Sequence, residues 1–366
     1  MDSKKNGNLA KLVAFFLIVT VLIMAVAFSV SGWQGENPGE PDSGESQAGG
    51  TADENTDGDT TDDTEEPIAP VYTHYISGLV ITEEESVLMP LCLIYDIEAP
   101  MYGISSSFLT VEIPTEGGKS RLLAFTNDAT SLGKLGALAP TRKYISSIAA
   151  SFGAIEVCIG NDDSFEYTTG ITDEEQINLS KQQGYHYTEY GLYSYTNSDL
   201  LNACIKNNGT NAVMTTVPEM PYTFLAQGER ANGTIQAATA VIQLDKSSTS
   251  ELIYSQESGK YKLLKNTREL TDKLDDSALL YDNAIILFSD SATYETASKT
   301  QLIMDTAGGG GGYYLNGGAA QKITWSTSDA GALIMLDDAG QTLAIEPGST
   351  YIAFAKSSQS AMTKLA

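Results

Sequence analysis

Hydrophobic residues are spread very unevenly along this chain. Residues 12–30 read LVAFFLIVTVLIMAVAFSV, which is 19 consecutive positions without a charge. An α-helix of that length extends about 28 Å, close to the hydrocarbon thickness of a bilayer. Helices of soluble proteins are rarely apolar on every side. The pattern therefore predicts a transmembrane anchor over 12–32.

Two other N-terminal arrangements compete with a retained anchor. The small residues Ala25 and Ala27 resemble a signal-peptide cleavage site, so a cleaved signal peptide stays open as an alternative. The apolar run is longer than the usual core of a signal peptide, which favours retention. Lipid attachment needs a cysteine directly after the run, and the first cysteine is Cys92. That route is excluded.

The charges that flank the apolar run indicate its direction in the membrane. Lys4, Lys5 and Lys11 precede it, and acidic residues follow it. Basic flanks stay in the cytoplasm. We expect residues 1–11 to form a cytoplasmic tail and everything after Trp33 to lie outside, as in a single-pass protein of the cell membrane with an extracellular body.

An acidic segment, residues 33–70, separates the anchor from the body. Between Gln34 and Pro70 there are 12 acidic residues and no basic ones. Such a segment buries too little apolar surface to offset its ordering entropy, so we predict a disordered, extended linker. Its stretch DENTDGDTTDDT copies half of a calcium loop, but Thr64 stands where the loop needs glutamate. No metal site is expected.

The first part of the body alternates between strand and helix patterns. Short β-rich runs such as SFLTVEI, RLLAFT and AIEVCIG predict strands. Apolar residues at helical spacing predict a helix that ends at Gly153. Capping signals predict two more helices, which begin near Thr172 and at Asn197 or Ser198. The prediction is a mixed α/β domain over 74–220.

The second part of the body is dominated by strand patterns. Short β-rich runs separated by turn residues continue to the C-terminal region, and TRELTDKLDDSALL predicts the one helix. The glycines at 308–312 are interpreted as a flexible approach to the strand YYLNGG. We predict a mostly-β domain over 235–360, so the fold class is α+β with an anchor and a linker before it.

Charge and cysteine content narrow the classes of function. The body from Val71 to Ala366 carries 18 basic and 34 acidic residues, so it repels phosphate backbones and no nucleic-acid partner is expected. The three cysteines form no CxxC motif. Cys92 and Cys158 lie in apolar runs and are expected to be buried, although a disulfide between them stays open.

The string GGKS at 117–120 imitates the end of a phosphate-binding loop. That loop needs an earlier glycine where Ile113 stands, and a helix after it where RLLAFT predicts a strand. A tight turn between two strands explains Gly117 and Gly118 better. We therefore expect no nucleotide and no cofactor.

Few residues offer catalytic chemistry. The chain has two histidines and no GxSxG, HExxH or Cys/His cluster. Glu112 and Glu116 could form the carboxylate pair of a glycoside hydrolase, but so many acids make some pair expected by chance. His186 lies among five tyrosines between Tyr185 and Tyr195. This cluster is interpreted as a surface or groove of aromatic residues, with carbohydrate contact as the alternative.

Long stretches of the body resemble a known family. MPLCLIYDIEAPMYGISSSFLTVEIPTEGGKSRLLAF and LGALAPTRKYISSIAASFGAIEVCIGNDD resemble the first domain of the YerB-like lipoproteins, a bacterial family of unknown function (domain of unknown function 3048). GGGYYLNGGAAQKITWSTSDAGALIMLDDAGQTLAIEPGSTYIAF resembles the end of its second domain, with Trp325, Pro347 and Gly348 in register. The resemblance covers roughly 76–356. Residues at matching places in the first domain are Asp96, Glu112, Glu116, Gly117, Gly118, Arg121, Gly136 and Arg142.

The resemblance implies a polar cluster that binds a ligand, made of the matching charged residues and the two glycines of the turn. Arg121 is expected to pair with Glu112 or Glu116. Ala139 replaces an arginine of the family pattern, and Cys158 replaces a histidine. If those polar residues form a site in relatives, that site is degraded in this chain.

Taken together, these features predict a membrane-tethered extracytoplasmic protein that acts by binding. The expected partner is another envelope protein or a cell-wall polymer, because the loss of polar residues favours binding over chemistry. The alternative is a hydrolase of envelope glycans or peptides that uses carboxylates near Glu112 and Glu116. A scaffold without ligand is a third possibility.

Overall fold

The structure is a computed structural model that describes residues 70–129, 131–160, 176–226, 228–231, 233–295 and 300–366. The predicted tail 1–11, the anchor 12–32 and the linker 33–70, apart from Pro70, lie outside the described residues. Within those residues, no helix is both long and apolar enough to cross a bilayer. The chain from Ile68 to Ala366 forms one compact unit.

The described chain is mostly β with few helices. The helices are α1 (Glu83–Ser86), α2 (Lys143–Ser151) and α3 (Ser198–Asn208), with 3₁₀ turns at Glu116–Gly118, Leu179–Lys181 and Ser357–Met362. The strands of the first part are β1 (Tyr72–Thr73), β2 (Val80–Ile81), β3 (Leu91–Asp96), β4 (Leu109–Pro114), β5 (Ser120–Thr126), β6 (Lys134–Leu138), β7 (Ile155–Cys158), β8 (Gln176–Asn178), β9 (Tyr187–Glu189), β10 (Tyr193–Asn197) and β11 (Tyr222–Phe224).

Strands continue through the second part of the body almost without interruption. They are β12 (Ile235–Gln236), β13 (Thr239–Asp245), β14 (Ser248–Ser255), β15 (Lys260–Lys265), β16 (Arg268–Glu269), β17 (Leu280–Tyr281), β18 (Asn283–Ser289), β19 (Ser291–Glu295), β20 (Thr300–Met304), β21 (Gly309–Asn316), β22 (Ala319–Thr327), β23 (Leu333–Asp337), β24 (Leu343–Ile345), β25 (Thr350–Lys356) and β26 (Lys364–Leu365).

Two of the predicted helices are confirmed. Helix α2 buries Ile145, Ile148 and Ala149 on one side, as their spacing predicts. Helix α3 begins where the Asn197 side chain accepts a hydrogen bond from the Leu200 backbone N–H at 2.9 Å. It ends at Gly209, which adopts the left-handed conformation that a helix C-terminus favours.

Two other helix predictions are wrong over the residues described. The capping signal at Thr172 lies outside the described residues, and the segment that follows forms strand β8 and a 3₁₀ turn instead of a helix. The stretch TRELTDKLDDSALL forms strand β16, a turn and the start of β17. In that turn, buried Asp272 accepts hydrogen bonds from the backbone N–H groups of Gly103 and Ser105, so tertiary contacts override the local helix preference.

Both predicted regions of the body, 74–220 and 235–360, contribute to one continuous sheet. Within the described residues this sheet has fourteen strands, with the central order β12-β22-β21-β18-β25-β4-β5-β3-β6-β10-β9. The two regions meet where β4 pairs in parallel with β25, and Leu109 lies opposite Thr350. Strand β25 in turn pairs in parallel with β18.

The central strands of this sheet are buried on both faces. Every residue of β4 and β5 is buried, which is typical of strands covered on two sides. One face packs against helix α2 through residues such as Ile94 and Phe125. The other face packs against a second sheet, in which β16, β15, β14, β13 and β26 are neighbours and β17 pairs with β15.

The second sheet shows the alternation that a half-buried strand requires. Along β13, Ala240, Ile242 and Leu244 are buried, and the residues between them are partly exposed. Side chains of successive strand residues point to opposite faces, so one face of β13 meets the large sheet and the other is turned toward solvent. The core of the body therefore lies between the two sheets and beneath α2.

Four of the five glycines at 308–312, Gly309 to Gly312, form the start of strand β21, so the interpretation of this run as a flexible approach is wrong. Gly312 pairs with Leu287 of β18 on one side and with Ile323 of β22 on the other. A Cβ on Gly312 would lie 2.2 Å from the backbone oxygen of Ile286, whereas a Cβ on Gly311 would meet nothing within 4 Å. The neighbouring backbone therefore approaches so closely that it explains why a glycine stands at position 312.

These neighbouring glycines provide a matched pair of substitutions. We expect Gly312→Ala to lower the free energy of unfolding by about 1–3 kcal/mol, because β18 must shift to admit the methyl group. Gly311→Ala should change it by less than about 1 kcal/mol in either direction. Urea denaturation of both variants measures the difference. Equal changes in the free energy of unfolding for the two variants would contradict the close contact with Ile286.

His74 is a buried histidine in the loop between β1 and β2. Its Nδ1 accepts a hydrogen bond from the Ser77 backbone N–H at 3.3 Å, and its ring lies 4.1 Å from that of Phe108. Burial lowers the pKa of His74 from 6.5 to about 4. The folded protein therefore holds this imidazole neutral over a pH range in which the unfolded chain protonates it.

This depressed pKa predicts a loss of stability in mild acid. Neutral His74 makes its full contribution to the free energy of unfolding above about pH 6.5. This contribution is lost as the pH falls toward 4, because the unfolded chain, in which His74 has the higher pKa, binds the proton first. The loss amounts to roughly 3 kcal/mol. Denaturant unfolding between pH 7 and 4 should show a steeper decline for the natural chain than for His74→Gln. Parallel curves would show that His74 does not titrate in this way.

Candidate functional site

Glu112 lies at the centre of the body, on strand β4 between β5 and β25. It pairs with Leu122 on one neighbouring strand and with Ala353 on the other. Its side chain is fully buried. The alternation of β4 directs it toward the second sheet, since Val111 and Ile113 belong to the core beneath α2.

Both carboxylate oxygens of Glu112 are occupied by donors from several elements. Oε1 accepts hydrogen bonds from Lys265 Nζ at 2.7 Å and from Ser120 Oγ at 2.5 Å. Oε2 accepts from Ser250 Oγ at 2.6 Å and from Tyr351 Oη at 2.5 Å. Lys265 and Ser250 belong to the second sheet, so this one carboxylate joins the two sheets.

The donors keep Glu112 charged in spite of its burial. Burial alone raises the pKa of a carboxyl group, but the Lys265 ammonium and the hydroxyl donors outweigh it and hold the pKa of Glu112 below its ordinary value. The pKa of Tyr351 is raised by its own burial and by the adjacent Glu112 charge, so its hydroxyl stays protonated as a donor. Lys265 itself is only 2 % exposed.

A second group of charges lies at the end of the same strands, near the start of α2. Arg142, which precedes α2, forms an ion pair with Glu116, and Arg121 Nη1 lies 3.3 Å from Asp96 Oδ1. The expectation that Arg121 pairs with Glu112 or Glu116 is therefore wrong. Arg121 does lie near enough to Glu116 to contribute to lowering its pKa, although burial opposes this and the Arg142 hydrogen bond contributes more.

The predicted tight turn at GGKS is confirmed. Residues 116–118 form a 3₁₀ turn that joins the antiparallel strands β4 and β5. Gly117 has φ of 72° and Gly118 has φ of 71°, a conformation that glycine adopts without steric cost. A Cβ on Gly118 would lie 2.3 Å from Ser247 Oγ, so the turn packs against the β13–β14 connection.

The family-matched residues thus form two separate arrangements. Asp96, Glu116, Arg121 and Arg142 surround the β4–β5 turn, and Glu112 is directed toward the second sheet. Every one of these charged side chains has a partner of opposite charge within the protein. The arrangement can fix the position of strands and helix, and it leaves no pair of free carboxylates facing a common cleft.

The two residues that depart from the family pattern lie beside α2. Ala139 and Cys158 are buried in the apolar core there. Next to Cys158 in sequence, buried Glu156 accepts a hydrogen bond from Gln176 Nε2 at 2.9 Å, and burial raises its pKa. All three cysteines are buried and free, so the open alternative of a disulfide is not realised.

An aromatic surface on β6, β9 and β10 contains part of the tyrosine cluster predicted from the sequence. Tyr187 and Tyr195 come from the predicted cluster, but Tyr102 and Lys134 come from distant segments. Lys134 Nζ lies 4.0 Å from the ring centroid of Tyr102 and 4.2 Å from that of Tyr195, and it forms an ion pair with Glu189 at 2.6 Å. A cation between two aromatic rings is stabilised by their π faces.

The outer part of this surface is open to solvent. Tyr190 is 63 % exposed and Leu192 is 80 % exposed, at the connection between β9 and β10. Tyr190 lies edge-on to Tyr195, with ring centroids 6.4 Å apart. We call the group Tyr102, Lys134, Tyr187, Glu189, Tyr190, Leu192 and Tyr195 the tyrosine surface. Rings, hydroxyl groups and a charge pair together suit a ligand with both apolar faces and hydroxyl groups.

Among the residues that the structure describes, no group of three or more His, Cys, Asp or Glu side chains is arranged to hold a metal ion.

Removing the charge of Glu112 should be costly. We expect Glu112→Gln and Lys265→Met each to lower the free energy of unfolding by about 3–5 kcal/mol, because each leaves a buried charge without its partner. The double variant should cost clearly less than the sum of the two. Urea denaturation of the three variants gives the coupling energy.

The exposed ion pair between Lys262 and Glu269 provides the control, since Lys262 lies on the same strand as Lys265. Glu269→Gln should change the free energy of unfolding by less than about 1 kcal/mol. Additive effects at Glu112 and Lys265 would show that this pair does not hold the sheets together.

Comparisons with known proteins agree with the sequence resemblance. Residues 240–352 match the model of the C-terminal domain of a protein family of unknown function (DUF3048). Among solved structures, the crystal structure of the YerB protein from Bacillus subtilis is similar, with a TM-score of 0.67 and 16 % identity. The match covers 81 % of this chain and 99 % of that protein. A search of curated proteins finds no match. Residues 240–352 therefore match the C-terminal domain of the DUF3048 family and the fold is similar to that of YerB, so the resemblance seen in the sequence is confirmed.

Proposed function

We propose that this chain is a membrane-tethered extracytoplasmic protein that binds a cell-wall glycan through its tyrosine surface. The observation that carries the proposal is the exposed Tyr190 beside a cation held between the rings of Tyr102 and Tyr195. Aromatic rings stack on the apolar faces of sugar rings, and the adjacent hydroxyl and charged groups can bond sugar hydroxyls.

The location follows from the N-terminal sequence. The apolar run 12–30 with lysines before it predicts an anchor, over 12–32, whose following chain lies outside the cytoplasm. The acidic linker 33–70 would hold the body away from the membrane surface, within reach of the cell wall. For an anchored protein that faces the wall, wall glycans are within reach, and the tyrosine surface supplies an open aromatic platform for them.

The alternative of a hydrolase receives less support from the geometry. Glu112 is buried and bonded by four donors, so it cannot reach a substrate without breaking the contact between the sheets. Glu116 is paired with Arg142. A glycosidase needs two carboxyl groups on either side of one scissile bond, about 5–9.5 Å apart in an open cleft. An envelope protein is the other ligand class that the sequence leaves open.

Removing the exposed ring should weaken glycan binding. We expect the full-length chain in detergent to co-sediment with purified peptidoglycan sacculi, and Tyr190→Ala to bind roughly tenfold more weakly. Tyr190→Phe should keep most of the affinity, because the ring supplies the stacking face. Binding is measured from the fraction of protein that sediments with increasing amounts of sacculi.

Met362→Ala is the control, since Met362 is exposed to a similar degree in the C-terminal 3₁₀ turn, outside the tyrosine surface. It should bind as the natural chain does. Retained binding in Tyr190→Ala, or an equal loss in Met362→Ala, would remove the tyrosine surface from the proposal. Release of soluble sugar fragments from the sacculi would favour the hydrolase instead.

A further inference from the structure

A groove separates helix α2 from the hairpin formed by β19 and β20. Its volume is about 850 Å³, which is within the range of sites that hold sizeable ligands. Tyr144 and Ser147 line it from α2, and Leu302 and Met304 line it from β20. The groove shares no lining residue with the tyrosine surface.

Gln301 of β20 lines this groove with an amide that lacks hydrogen-bond partners. Its side chain is 2 % exposed, and neither its Oε1 nor its Nε2 is bonded to any described residue. A buried polar group without a partner costs about 1–3 kcal/mol. Native proteins rarely retain such a group without a reason. The Gln301 amide presents its donor nitrogen beside its acceptor oxygen, so it can bond the C=O and the N–H of a peptide backbone.

The hairpin also has an unused edge. Within the described residues, β19 pairs with β20 alone, and all five residues of β19 are exposed. Tyr294 and Ile303 add exposed apolar side chains. An open strand edge offers backbone N–H and C=O groups to an additional strand.

The groove is lined by two acidic residues, Asp290 and Asp305, and by one basic residue, Lys143. Asp290 and Asp305 lie together, since the Asp305 backbone N–H bonds to the Asp290 backbone oxygen at 2.9 Å. Neither carboxylate forms an ion pair with a described residue. Lys143, at the start of α2, is exposed. A bound chain that places one of its own cations near the two aspartates would therefore be favoured.

We propose that this groove binds an extended peptide of a partner protein, which adds as a strand to the β19–β20 hairpin and places a basic side chain against Asp290 and Asp305. The peptide backbone pairs with the amide of Gln301, and its apolar side chains contact the exposed Tyr294 and Ile303, which share a face of the hairpin with Gln301. A lipid chain would leave the Gln301 amide unpaired and the aspartates without a cation. This site is independent of the glycan binding proposed above.

The probe is a fluorescein-labelled hexapeptide of alternating valine and threonine with one lysine near its end, added to the full-length chain in detergent. We expect saturable binding by fluorescence anisotropy. Replacing the lysine of the peptide with glutamate should weaken binding at least fivefold. A peptide with N-methylated backbone nitrogens on alternate residues keeps its side chains but cannot donate strand hydrogen bonds, so it should bind at least tenfold more weakly.

Substitutions in the chain test the same contacts from the other side. Gln301→Leu should weaken binding about tenfold while raising the melting temperature or leaving it unchanged, because it removes an unpaired buried amide. Asp290→Asn should weaken binding by a smaller factor and reduce its dependence on salt. Asp329→Asn is the matched control on an exposed loop and should bind normally.

Four outcomes would overturn the proposal. The first is an absence of binding by the lysine peptide up to millimolar concentration. The second is equal binding by the N-methylated peptide, and the third is unchanged binding by both Gln301→Leu and Asp290→Asn. The fourth is a dimer in analytical ultracentrifugation that dissociates in the Gln301→Leu variant, which would assign the groove to a second copy of this chain.

Discussion

The body depends on one buried contact, in which the Glu112 carboxylate is bonded by Lys265, Ser120, Ser250 and Tyr351. Charged groups are costly to bury, and this cost is offset only when all the partners are present. Because two donors come from the second sheet, the carboxylate favours one relative position of the two sheets. Apolar packing alone tolerates small shifts, whereas a buried ion pair with four donors does not.

The strands of the core could be predicted because their sequences are rich in apolar and β-branched residues. Runs such as SFLTVEI and RLLAFT are buried on both faces, and no competing local signal disturbs them. Local sequence signals gave a wrong prediction where tertiary contacts determine the structure. The segment around Asp272 has good helix formers, but its carboxylate serves as an acceptor for a loop that is distant in sequence, so the chain turns there.

The candidate site could be predicted only as a set of residue types. The resemblance to relatives selected Glu112 and Arg121, but nothing local indicates that Glu112 meets Lys265, which lies 153 positions further along the chain. The same limit applies to the tyrosine surface. Tyr187, Tyr190 and Tyr195 are close together in sequence, but Tyr102 and the cation Lys134 come from distant segments. Hydrophobic periodicity reports which face is buried, and it does not report which polar groups meet there.

The parallel pairing of β4 with β25 has a consequence for how the chain is made. Leu109 lies opposite Thr350, so these partners are separated by about 240 residues. At roughly 5–20 residues per second, β4 leaves the ribosome on the order of 10–50 s before β25 exists. During that interval the edge of β4 that β25 covers has no partner strand. Early termination of translation would therefore yield a fragment in which a largely apolar strand has an open edge, and such an edge favours aggregation.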